Sequence, residues 1–106
     1  MQQISPIELN KRLHSDSPPP LLLDVREPLE FAHCHIEGSV NMPMNQVFSG
    51  YAALDSQRET VVVCHHGMRS AQITNFLLNH GFTNIANLTG GVAAWASLVD
   101  PTMPTY

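Results

Sequence analysis

Cys64-His65-His66-Gly67-Met68-Arg69-Ser70 is the segment of this chain whose residue types and spacing point to chemistry. It follows the β-branched run Thr60-Val61-Val62-Val63 and precedes a stretch with helical periodicity. Cys64 is therefore expected at the carboxyl end of a strand, where open α/β sheets place their ligands. Four residues separate Cys64 from Arg69, room enough only for a tight loop. Gly67 lets the backbone turn through positive φ. Such a loop points its N–H groups inward and makes an anion nest around the sulfur. The helix behind it adds the positive pole of its N-terminus.

The thiolate is the nucleophilic form of cysteine, and a free thiol titrates near ~8.5. Donors, cations and helix N-termini raise the thiolate fraction at neutral pH. Arg69 is expected to supply a fixed charge and a bidentate fork for an oxyanion. Ser70 is placed to cap backbone N–H groups or to hydrogen-bond the sulfur. Together these residues read as a nucleophile, Cys64, in a cradle of His65, His66, Gly67, Met68, Arg69 and Ser70, suited to a small anionic substrate. The competing possibility is a buried, inert cysteine that merely ends a strand. Nucleophilic chemistry requires an open bowl above the sulfur.

The surrounding elements follow from patterning. Ser5, Pro6 and Glu8 mark a helix start with a capping box, Ile4 and Leu9 match a hydrophobic staple, and the helix is expected to run to about His14. Pro18-Pro19-Pro20 is a stiff spacer too short to divide domains. Leu21-Leu22-Leu23-Asp24-Val25 predicts a buried strand. Pro28 opens a short helix through Glu30, Phe31 and Ala32, with Gly38 as its breaker. Ser39 to Met42 predicts a second strand ended by Pro43, and Asn45 to about Leu54 is weakly helical. Thr60 to Cys64 is the clearest strand, continuous as for one covered on both faces. Ile73, Phe76, Leu77 and His80 form the stripe of a helix from about Arg69 to His80, stopped by Gly81. Asn84 to Leu88 is a short strand. Gly90-Gly91 leads into a last helix with stripe Val92, Trp95, Ala96 and Val99, ended by Pro101. Alternating strands and helices predict an α/β domain with a mainly parallel sheet.

Composition narrows the function classes. The 106 residues, 43% apolar with net charge −4, fit one globular domain over 1–106. A mildly acidic chain lacks the basic stripe of a nucleic-acid module. The longest apolar runs are a few residues, so no membrane span is expected. Met1-Gln2-Gln3-Ile4 has neither the basic nor the apolar region of a signal peptide. Two cysteines make no disulfide framework, which predicts a reducing, cytoplasmic setting.

The loop Cys64 to Ser70 resembles the Cys-x-x-Gly-x-Arg-Ser active-site loop of rhodanese-type sulfurtransferases. Three further segments agree in order. Leu22-Leu23-Asp24-Val25-Arg26-Glu27 resembles that family's Asp-x-Arg strand. His35-Ile36-Glu37-Gly38-Ser39-Val40-Asn41-Met42-Pro43 resembles its His-Ile-x-Gly-Ala-x-Asn-Ile-Pro segment. Leu88-Thr89-Gly90-Gly91-Val92-Ala93-Ala94-Trp95 resembles its Gly-Gly-x-x-x-Trp signature. The resemblance spans nearly the whole chain. It implies a central five-stranded parallel sheet with helices on both faces. It also implies ping-pong sulfur transfer: Cys64 takes the outer sulfur of a donor such as thiosulfate, carries it as a persulfide, and yields it to cyanide, a thiol or a protein. No metal or organic cofactor is implied. Phosphatases of similar fold place one residue more between Cys and Arg, which leaves phosphatase activity as the weaker enzyme alternative. A persulfide carrier that delivers sulfur to a partner protein is the alternative outside enzymology.

Some residues depart from the family pattern. His65 and His66 stand where some rhodaneses carry Arg or Lys, so weak thiosulfate binding is expected, improving as pH falls from 8 toward 6 if imidazole charge matters. Both are read as solvent-facing loop residues. His33-Cys34-His35 and Cys64-His65-His66 match no usual zinc spacing, and no metal site is assigned. Cys34 replaces the family's Gly, predicting ordinary backbone there and a buried inert thiol, with resolution of a Cys64 persulfide as a disulfide the alternative if the two cysteines approach. Asp24 and Arg26 are read as a structural pair, His35 as a structural hydrogen bonder, and Trp95 as core.

Overall fold

The computed structural model describes residues Met1–Tyr106. Its centre is β4 (Thr60–Val63), in which every residue is buried. A continuous β-branched run is what a strand covered on both faces requires. β2 (Leu21–Asp24) pairs on one side, Leu22 opposite Val61 and Asp24 opposite Val63. β5 (Ile85–Leu88) pairs on the other, with Val62 opposite Asn87. β1 (Gln2–Ile4) and β3 (Val40–Asn41) form the edges, giving the order β1-β5-β4-β2-β3. All four pairings are parallel.

Parallel neighbours need crossover connections, and helices supply them on both faces. The helices are α1 (Pro6–Leu13), α2 (Pro28–His33), α3 (Met44–Gly50, continued by a 3-10 turn at Tyr51–Ala53), α4 (Met68–Leu78) and α5 (Gly91–Leu98). The two-residue period of the strands splits the core. Leu22, Val61, Val63 and Leu88 pack with Leu9 of α1 and with Val92, Trp95 and Ala96 of α5. Leu23, Val62 and Ile85 face the other way, onto Val47 of α3 and Ile73 and Leu77 of α4. No helix is long and apolar enough to cross a membrane.

The α1 start forms as its sequence predicts: the Glu8 N–H donates to Ser5 Oγ and the Ser5 N–H to Glu8 Oε1, each at 3.1 Å. Several strands are shorter than expected by a residue or two, β3 spanning only Val40–Asn41, and three differences are larger or bear on the site. β1 escapes patterning because Gln2 and Gln3 are exposed and polar, and the strand exists through its pairing with β5. α2 ends at His33 rather than at Gly38, because Cys34 turns extended at φ −162°. Gly38, at φ +86°, makes the later turn into β3. α4 starts one residue before Arg69 and ends at Leu78, where the Phe82 N–H returns to the Leu77 carbonyl.

Candidate active site

Cys64 follows β4 directly, and the loop His65 to Gly67 carries the chain into α4. Gly67 is the N-terminal cap of α4 at φ +101°, a conformation that strains any L side chain. This turn brings its N–H to Cys64 Sγ at 3.1 Å. One turn into the helix, Ser70 is fully buried and accepts from the Cys64 thiol at 3.2 Å. The Ser70 hydroxyl donates in turn to Asn87 Oδ1 on β5. Asn87 fixes the arrangement by donating through Nδ2 to the Gly67 carbonyl at 3.3 Å and to Gln3 Oε1 at 3.1 Å. The sulfur thus meets a backbone N–H, a hydroxyl and the N-terminal pole of α4. An isolated apolar thiol has none of these.

The sulfur is also covered. Cys64 is 1% exposed and lines no cavity, so the open bowl expected above it is absent. The tight loop explains this: its close contacts fold the N–H and hydroxyl directly onto the sulfur. The nearest cavity, about 80 Å³, lies beside the loop between Cys34, His65, His66, Val92 and the C-terminal Pro104 to Tyr106. His65 is half-buried there, its ring stacked on Tyr106 at 4.0 Å between centroids. Burial, then the neighbouring His66, lowers its pKa below the ordinary imidazole value, favouring the neutral ring. His66 and Met68 are exposed. The expectation of a solvent-facing residue therefore fits His66, while Tyr106 covers His65.

Arg69 departs from its expected position over an anion. Its Nη1 and Nη2 donate to Glu30 Oε1 and Oε2 at 2.7 and 3.0 Å. Glu30 also accepts from the Tyr106 hydroxyl at 2.8 Å. The Arg69 hydrogen bonds, more than any other cause, hold the Glu30 carboxyl down to about 2. Tyr106 Oη accepts from Arg26 Nη1 at 2.8 Å, joining this pair to a second one. Arg26 and Asp24 are both fully buried, bridged at 2.7 Å, and Arg26 also reaches the Cys34 carbonyl at 2.6 Å. Burial opposes the Arg26 charge, but hydrogen bonds to Asp24 and Tyr106 outweigh it and its pKa rises. Cys34 is buried with extended backbone, and Arg26 Nη1 lies 3.9 Å from its sulfur. His35 hydrogen-bonds the Phe31 carbonyl at 2.8 Å and stacks on the Phe31 ring.

Sequence reasoning passed over Glu30, Asn87 and Tyr106. Glu30 carried one available signal, its place three residues after Glu27 at a helix start, where the Glu27 N–H donates to it at 3.1 Å. The partners of Asn87 and Tyr106 are distant in sequence, and no local pattern announces them. No three His, Cys, Asp or Glu side chains come together as a metal-binding group.

The whole arrangement, from Ser5 to the end of α5, has counterparts among known proteins: residues 5–98 match the rhodanese-like domain. The chain belongs to the rhodanese-like family. A protein named sulfurtransferase from Allochromatium vinosum is 32% identical over 96 residues, covering 91% of this chain and 89% of that one. A probable adenylyltransferase/sulfurtransferase, MoeZ, from Mycobacterium tuberculosis is 37% identical over 87 residues, covering 80% of this chain. This chain spans 22% of that protein and 36% of a rhodanese-like relative from Arabidopsis thaliana. Among solved structures, a rhodanese-like domain protein from Staphylococcus aureus superposes with a TM-score of 0.85 at 27% identity, covering 100% of this chain and 99% of that one. Its five-stranded sheet with flanking helices is thus the rhodanese-like fold. Sulfur transfer is the chemistry that this kinship supports.

Proposed function

We propose that this rhodanese-like chain moves a sulfane sulfur through a persulfide on Cys64. The carrying observation is the sulfur of Cys64 at the end of β4, with the Gly67 N–H at 3.1 Å and the N-terminus of α4 behind it. The 1% exposure of Cys64 means that the loop over the sulfur must part to admit a donor. In the first half-reaction the Cys64 thiolate then attacks the outer sulfur of a donor such as thiosulfate. A new S–S bond forms at Sγ, the donor's S–S bond breaks, and sulfite leaves with the electron pair. In the second, an acceptor (cyanide in an assay, a thiol or a protein in a cell) attacks the outer sulfur and the Cys64 thiolate departs. The negative charge stays beside the same loop throughout. The Gly67 N–H, already directed at the sulfur, stabilises it in place, and the Ser70 hydroxyl adds to this only by turning its proton from Asn87 to the sulfur. Of the cradle assigned to His65, His66, Gly67, Met68, Arg69 and Ser70, the Gly67 N–H donates to the sulfur and the Ser70 hydroxyl accepts from the thiol.

A second reading has its own support. In a carrier, the cover that leaves the sulfur 1% exposed would shield a persulfide from free thiols until a protein partner opens the loop. A relative named adenylyltransferase/sulfurtransferase couples the two activities in its name. Unpaired Cys34 and Cys64 are consistent with a reducing, cytoplasmic setting. Steady-state turnover of thiosulfate with cyanide supports the enzyme; stable loading of one sulfur with negligible turnover supports the carrier. Retained activity in Cys64→Ser contradicts both.

A further inference from the structure

We infer that Glu30 is a specificity-determining residue of this site, disfavouring dianionic sulfur donors relative to monoanionic ones. The inference rests on the sulfurtransferase reading and deepens it. Arg69 offers its fork to Glu30 through two bonds at 2.7 and 3.0 Å. A planar guanidinium fork binds a carboxylate or a sulfonyl oxygen pair in the same bidentate way, and it cannot give the same two N–H groups to both. Glu30 is anchored by three separate elements: Arg69 of α4, the Glu27 N–H at the start of α2, and the hydroxyl of Tyr106. A donor that needs Arg69 must displace a carboxylate held at each of these points.

No other cation compensates. The chain has five Lys and Arg. Arg26 is sealed against Asp24, and Arg12 is paired with Glu59. Arg58 precedes β4 at the opposite edge of the sheet from Cys64, and Lys11 lies in the last turn of α1, away from the end where α1 leaves β1. Burial beside Tyr106 and His66 keeps His65 on the neutral side. The charges around the loop are therefore two closed ion pairs, Arg69–Glu30 and Arg26–Asp24, with no net positive charge. The Gly67 N–H is given to Cys64 Sγ, which leaves the pole of α4 for the substrate. A dianion loses more hydration than a monoanion on entering the site, and a helix pole alone offsets less of that loss than a free guanidinium would.

Thiosulfate and the methanethiosulfonate anion test this directly. Both present a terminal sulfur on a sulfonyl sulfur, and both would place that sulfur on Cys64, releasing sulfite and methanesulfinate respectively. They differ by one unit of charge. Glu30→Gln removes the carboxylate charge but keeps an oxygen for the Glu27 N–H. We expect it to lower the KM for thiosulfate by about tenfold, and that for methanethiosulfonate by about threefold or less, with kcat little changed. Glu30→Asp keeps the charge and should keep the wild-type preference. An unchanged ratio of the two kcat/KM values in Glu30→Gln, or equal shifts in both variants, overturns the inference. A measurement on the wild type guards against misfolded variants: methanesulfonate should protect Cys64 from alkylation at least as well as sulfate, and tighter protection by sulfate overturns the inference. Absence of sulfur on wild-type Cys64 with either donor is a different result, since it removes the sulfurtransferase reading itself.

Discussion

The backbone of Gly91 lies against the carbonyl of Cys64 so closely that a Cβ there would overlap the Cys64 and His65 carbonyl groups. The amides that follow it explain the approach. The Val92 N–H donates to the Cys64 carbonyl at 2.9 Å and the Ala93 N–H to the His65 carbonyl at 3.0 Å. The first turn of α5 thus ties down the start of the loop, using N–H groups that every helix leaves free. One helix positions the nucleophile's backbone while another, α4, faces its sulfur.

Gly91→Ala should therefore strike the site from outside it. Gly91 also sits at φ +58°, which disfavours a side chain even where space exists. We expect a loss of about 3 kcal/mol or more in urea unfolding, together with a loop displaced enough to reduce sulfur transfer at least tenfold. Near-wild-type stability and activity contradict the tie between α5 and the loop.

The Gly-Gly pair was legible as a motif but not as a mechanism. Its reason is a contact between segments remote in sequence, and no periodicity encodes that. The same holds for Arg69. The spacing from Cys64 located it correctly at the start of α4, but its fork is occupied by Glu30, an exchange visible only once α2 and α4 meet. Strands β2, β4 and β5 were legible because burial on both faces demands unbroken apolar runs. β1 was not, because an edge strand with exposed glutamines needs only its backbone to pair. The closed cover over Cys64 was unreadable for a related reason: local spacing defines a ring, and packing decides how tightly it shuts.

The buried Asp24–Arg26 pair offers a test of what holds the loop's neighbours in place. Arg26→Met leaves Asp24 without its bridge in a site with no exposure to water. Breaking a buried pair from one side costs about 3–5 kcal/mol, and we expect a loss in that range from chemical unfolding. A loss below about 1 kcal/mol contradicts the assignment of this pair as structural.

Acid stability should report Glu30. Its carboxyl is held down to about 2 in the folded chain, from an ordinary value of 4.5, first of all by Arg69. A depressed folded pKa stabilises the protein above the unfolded pKa, and that stabilisation is lost as pH falls from 4.5 through about 2. Glu30→Gln should flatten the stability profile across that window. Equal acid sensitivity in variant and wild type contradicts the Arg69–Glu30 bond.

The pH dependence of donor use should follow the imidazole stacked on Tyr106. Burial, then the neighbouring His66, lowers the His65 pKa from its ordinary 6.5, so this ring gains positive charge at lower pH than a free imidazole does. NMR titration should give a His65 midpoint under 6.5, raised toward it in Tyr106→Ala, which removes the cover. A wild-type midpoint above 6.5 contradicts the buried, neutral ring.

Intact-mass measurement after exposure to thiosulfate or methanethiosulfonate tests the central claim most directly, because it follows the transferred atom rather than an activity. The wild type should gain the mass of one sulfur atom, lose it on addition of cyanide, and show no gain when Cys64 is replaced by Ser. A gain that survives Cys64→Ser, or no gain in the wild type with either donor, contradicts sulfur transfer through Cys64.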